Sequence, residues 1–114
     1  MEKLTLLHVY RVLLFTSSIF IVSFWWRTPI VVFFLLILLF IELNRTFKWR
    51  YIKTSLLAMV FGPVAEAIAI AFGSWTYSNS QFAGIPIWLA PLWGIASLYF
   101  IAVAVFIGEK PSRQ

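Results

Sequence analysis

Long apolar runs separated by short polar breaks make up almost the whole chain. Four runs read as membrane-spanning helices, at about residues 4–26, 29–43, 55–72 and 86–107. The first opens near Lys3 but ends in Phe24-Trp25-Trp26-Arg27 with no small-residue cleavage site, so it reads as a retained span and not a signal peptide. The second, at about 15 residues, is short for a hydrocarbon core of roughly 30 Å and is expected to borrow residues at its ends or sit in thinned lipid. Thr28 is placed to cap it and Pro29 suits its first helical position. Between the runs lie a polar break at 44–54, another at 73–85 and a short tail. The expectation is one membrane domain over 1–114, an all-α polytopic four-helix bundle.

Composition turns that expectation into an exclusion. The chain is 62% hydrophobic and 11% charged, against about 25% charged in soluble domains. A soluble core of 114 residues cannot hide that much apolar surface. Cysteine is absent and there is a single histidine, His8. Disulfides, thiolate metal sites and thiol nucleophiles are therefore excluded, and no metal or cofactor is expected.

The net charge of +5 takes its meaning from position. Arg45, Lys48, Arg50 and Lys53 crowd the 44–54 break, while 73–85 has no charge. With Lys3, Lys110 and Arg113 on the same side and only Arg27 opposite, the basic loop is expected in the cytoplasm, which sets an N-in/C-in topology, as in a bacterial inner membrane. That loop is also expected to attract anionic lipid, at roughly 1 kcal/mol per charge. The bilayer, other membrane subunits or further copies of the chain are the expected partners, and nucleic acid is not. Trp25, Trp26, Trp75 and Trp88 read as an outer aromatic belt, Trp49 and Tyr51 as an inner one.

Few polar groups interrupt the spans. Arg11 lies near the inner end of the first and can snorkel toward the cytoplasm, where Glu42 is the expected partner of a structural Arg11–Glu42 pair. His8, one turn away, reads as interfacial. Glu66 stands apart, as the sole charge in 55–72 and about 10 Å from the outer end of its helix. An acid at a span centre costs about 2.5–3.5 kcal/mol on insertion scales. No cation is expected at its depth; Thr16, Ser17 and Ser18 on the first span and Trp93 or Ser97 on the fourth are the expected neighbours. An acid in such a setting can donate a proton in catalysis or transport. Ala58, Gly62, Glu66, Ala69 and Gly73 form a small-residue face suited to close packing in lipid. Pro63 frees a backbone carbonyl in the same region, and Pro91 is expected to kink the start of the fourth helix. The uncharged loop, folded inward, would cap a cavity floored by Glu66.

Residues 62–94 read GPVAEAIAIAFGSWTYSNSQFAGIPIWLAPLWG. The segment resembles a group of small bacterial four-span membrane proteins with an acid in a span, then G-x-W-x-Y, GIPIWL and LWG. More loosely it resembles membrane carotenoid enzymes, the lycopene cyclases and carotenoid hydratases, through Glu66, Gly73, Trp75, Tyr77, Gly84 and Pro86. That likeness implies proton-driven chemistry on an isoprenoid double bond. Where lycopene cyclases carry an acid pair this chain has Pro86-Ile87-Trp88-Leu89, so the implication narrows to a hydrophobic-ligand pocket. Size and span number are similar to the small multidrug exporters, by architecture alone.

Three readings follow. The leading one is a small subunit or assembly protein of a membrane complex. The first alternative is an isoprenoid- or lipid-binding site, or an acid-catalysed carotenoid-type site, with Glu66 as the catalytic acid and Trp75, Tyr77, Trp93 and Ser97 as ligand-binding residues. The second alternative is a small proton-coupled transporter.

Overall fold

A computed structural model of the chain describes residues 3–77 and 79–112; Arg113, considered above, lies outside the described residues. Four helices follow one another: α1 (Lys3–Trp25), α2 (Pro29–Thr46), α3 (Ile52–Ala71) and α4 (Leu89–Ser112). All four are long and apolar enough to cross a membrane, and the architecture is the expected all-α four-helix bundle. Large apolar side chains, among them Phe24, Phe34, Leu38, Phe61 and Phe100, stay exposed around it. Water would not tolerate so continuous an apolar surface, whereas lipid covers it. The protein is a multi-pass membrane protein.

Helical spacing decides what is inside. α2 buries Val32, Leu36, Phe40 and Leu43, and α4 buries Ile95, Leu98 and Ala102, each set three or four residues apart on one face. α4 is the hub, packing against α1, α2 and α3, whereas α3 has α4 as its principal partner. Two glycines permit the approach. A Cβ on Gly94 would lie 2.6 Å from Phe40 and 2.8 Å from Met59, and one on Gly62 would lie 2.2 Å from the Trp93 ring. The Trp93 indole thus rests directly on the backbone of α3, and the small-residue face of α3 is the one turned to α4.

Helix ends depart from expectation in ways that matter for chemistry. α2 runs on to Thr46 and α3 starts at Ile52, so the short second span gains its length at the end nearest the basic break, which contracts to a tight turn. Thr28 does not cap α2; its hydroxyl donates to the Trp25 carbonyl at 2.9 Å. Pro29 takes the first helical position as expected. Pro91 falls in the first turn of α4, where a missing N–H has no partner to lose, so the cause of a kink is absent.

Candidate functional site

Glu66 projects from α3 one turn beyond Gly62 and is half-buried. Its two carboxylate oxygens have separate donors. Trp93 Nε1 donates to Oε2 at 2.7 Å, which follows from the seating of the indole on Gly62. The Tyr77 hydroxyl donates to Oε1. Among the described residues no cation meets this carboxylate, so hydrogen-bond donors alone offset its burial.

Tyr77 reaches Glu66 because the 73–85 loop folds inward, and local backbone chemistry explains that fold. α3 ends in a Schellman motif: Gly73 N–H donates to the Ile70 carbonyl and Ser74 N–H to that of Ala69, with Gly73 at φ 87°. Farther on, Phe82 and Ile85 exchange backbone hydrogen bonds across Ala83 and Gly84, both at positive φ, as a tight reversal demands. A Cβ on Gly84 would meet Ile70 at 3.0 Å, so this reversal lies against α3. The Gln81 side chain joins the reversal to α4 by accepting from Ile87 N–H at 3.0 Å, and it donates to Asn79 at 2.9 Å. The Tyr77 ring meets Trp88 edge to face, with centroids 6.1 Å apart. Burial, and then the Glu66 carboxylate beside it, push the Tyr77 phenol above its ordinary value, with Trp75 opposing the shift. Tyr77 is therefore held as a proton-bearing donor.

These groups line a crevice of about 330 Å³ between α1, α3 and α4. Its wall is Val22 from α1, Glu66 from α3, Tyr77 from the loop, and Trp88, Leu89, Leu92, Trp93, Ala96 and Phe100 along α4 and its entry. A second cavity of about 230 Å³ shares Val22, Tyr77 and Trp88 and adds Ser23, Trp26 and Asn79. Trp88 borders both. It is only 6% exposed, and among the described residues its indole N–H has no hydrogen-bond partner. A buried donor left unpaired costs about 1–3 kcal/mol.

Of the residues expected at Glu66, Tyr77 and Trp93 touch it. Ser97 does not; its hydroxyl donates to the Gly94 carbonyl of its own helix at 2.8 Å. Trp75 is 45% exposed and outside the crevice wall. From α1 the wall receives Val22, not Thr16, Ser17 or Ser18, and Ser18 is satisfied by the Phe15 carbonyl at 2.6 Å. Trp88, assigned above to the aromatic belt, is instead the buried wall. The spacing of Trp88, Leu92, Ala96 and Phe100 at every fourth residue is the signal that places them on one helix face.

The expected Arg11–Glu42 pair is not formed. Arg11 donates through Nε to Thr46 Oγ1 at 3.0 Å and through Nη2 to the Thr46 carbonyl at 2.9 Å, and stacks 3.7 Å above the centre of Phe47. Glu42 binds Arg45 through two 2.7 Å contacts and also accepts from Tyr10. The cause is the extension of α2, which places Arg45 one turn beyond Glu42 and presents the carbonyl end of the helix to Arg11. His8 stacks on Phe106 with ring centres 4.2 Å apart. Among the described residues no cluster suits a metal ion. The chain matches no protein-family model, no curated protein and no solved structure.

Proposed function

We propose that this protein binds an apolar molecule of isoprenoid or lipid type, seated in the α1–α3–α4 crevice with a polar end at Glu66 and Trp88. The observation that carries the reading is chemical asymmetry. The wall is apolar except at one end, where a carboxylate held by Tyr77 and Trp93 stands with Trp88, whose buried N–H has no hydrogen-bond partner among the described residues. Apolar walls with a few fixed polar groups are the usual form of a small-molecule site. A ligand oxygen accepting from Trp88 Nε1 would remove the orphaned donor. The orientation that accompanies this reading is N-in/C-in, with the crevice toward the outer leaflet of a bacterial inner membrane.

The test is native mass spectrometry of the protein released gently from its own membranes, wild type beside Glu66→Gln and Trp88→Phe. The expected result is a small hydrophobic adduct on the wild type, reduced about 3–10-fold in Trp88→Phe by the loss of one hydrogen bond. An adduct unchanged in both variants, or none in any, overturns the reading. A second reading, a small subunit or assembly protein of a larger membrane complex, draws on α3, which has one principal neighbour and leaves Leu57, Val60, Phe61 and Ile68 exposed. It predicts partner chains that co-purify with wild type and Glu66→Gln alike.

A further inference from the structure

The α2–α3 turn, at the end of the bundle remote from Glu66, borders a third cavity. It measures about 230 Å³ and its wall includes Arg11, Thr46, Lys48, Arg50 and Tyr51. Three cations and a phenol thus border one space, and among the described residues no acid does. Arg11 is the deepest, only 5% exposed. A guanidinium has five N–H donors, of which Thr46 takes one from Nε and one from Nη2. Among the described residues no carboxylate meets it, because Glu42 is held by Arg45 and Tyr10. A buried cation without an opposite charge is unfavourable, and a helix C-terminus offsets only part of that cost.

The backbone of the turn adds an independent observation. α2 closes with a Schellman pattern, Lys48 N–H on the Arg45 carbonyl and Trp49 N–H on that of Asn44. The residue after the cap in this motif is usually glycine. Here it is Lys48 at φ 55°, followed by Trp49 at φ 62°. Consecutive bulky residues in the left-handed region are strained, and such strain gathers at ligand clamps. Glycine would relieve it but remove a cation from the cavity wall.

We propose that this cavity binds one phosphate group, with Arg11 as its buried contact and Lys48, Arg50 and the Tyr51 hydroxyl around it. The phosphate belongs either to an anionic lipid headgroup or to free phosphate, since the recognition chemistry is shared. The volume suits a headgroup more than a drug-sized ligand. The site is separate from the Glu66 crevice and does not rest on the reading proposed for it.

The full chain is placed in phosphatidylcholine nanodiscs, with or without phosphatidylglycerol, and thermal stability and retained lipid are measured. A parallel arm adds inorganic phosphate to phosphatidylcholine discs alone. Lys48→Gly, Arg50→Gln and Arg11→Gln are compared with Lys53→Gln, which removes a charge from the same segment but does not border the cavity. Wild type is expected to retain phosphatidylglycerol or be stabilised by phosphate, and the arm that responds identifies the source. Lys48→Gly and Arg50→Gln are each expected to weaken the response about fivefold, while Lys53→Gln, off the cavity wall, weakens it by less than about twofold. Lys48→Gly is also expected to raise stability in phosphatidylcholine alone, so its lost response cannot be a folding defect. No response to either probe, or an equal loss in Lys53→Gln, overturns the proposal.

Discussion

The two ends of this bundle each carry a charge into an apolar interior, and they accommodate it differently. At one end Glu66 is met by an indole N–H and a phenol, both brought by tertiary packing. At the other, Arg11 is met by a helix-end carbonyl, the hydroxyl of the same residue and an aromatic face. Among the described residues neither charge meets its opposite. An anion needs N–H or O–H donors, which the paired backbone of a span cannot spare, so side chains from the loop and α4 serve it. A cation needs acceptors, which the last turn of any helix leaves free. The acid site therefore depends on how α3, α4 and the loop meet, whereas the arginine site depends mainly on where α2 stops.

The sharpest way to break the acid end is at Gly62. Gly62→Val drives a side chain into the Trp93 ring, whose atoms lie 2.2 Å from an added Cβ, and is expected to cost about 3 kcal/mol. Thermal unfolding in detergent measures the loss, and a change in tryptophan emission reports the displaced indole. Unchanged stability and emission would mean that α3 and α4 are not in this contact.

The arginine end yields to a double-mutant cycle. Coupling between Arg11→Met and Thr46→Val is expected at about 1.5 kcal/mol, as for hydrogen bonds to a charged group. Coupling between Arg11→Met and Glu42→Gln is expected near zero. The opposite ranking would restore the Arg11–Glu42 pair and undo the contrast between the two ends.

A pH series sharpens the acid end further. The Tyr77 phenol is raised above its ordinary value of 10.0. The stability it contributes is complete below that value and is lost as pH climbs from it toward the folded-state value. The tyrosinate absorbance of Tyr77, taken as the difference from Tyr77→Phe, should thus be absent in the folded protein at pH 10. Glu66→Gln should bring it on at lower pH. The smallest effects are expected at Ser97→Ala and Trp75→Phe, each within about 0.5 kcal/mol. A larger loss at either would draw those residues back into the site.

Some of this was legible without coordinates. Glu66 announced itself as the sole charge of its span, and Gly62 lay on a small-residue face whose packing role follows from spacing. The sequence points to Trp93 as a neighbour of the acid and to Tyr77 as a ligand-binding residue of the loop, but their bonds to Glu66 are not readable from it. They depend on an indole resting on Gly62 and on a reversal at Ala83-Gly84 that folds the loop inward. Trp88 was misjudged because belt and crevice tryptophans look alike at a span end. Only helix phase separates them, and α4 starts at Leu89, three residues later than its apolar run suggests.

By itself the sequence determined the class of the protein, four helices and the approximate limits of each, because hydropathy and helix-ending residues act over a few neighbouring positions. Tertiary structure alone decided which groups meet: Arg11 with Thr46, Glu66 with Tyr77 and Trp93, and Trp88 with the Tyr77 ring. The physical reason is geometric. A residue's partner depends on the rotation of its helix, the exact turn at which a neighbour ends and the path of a loop, and a shift of one residue turns a side chain by about 100° around the helix.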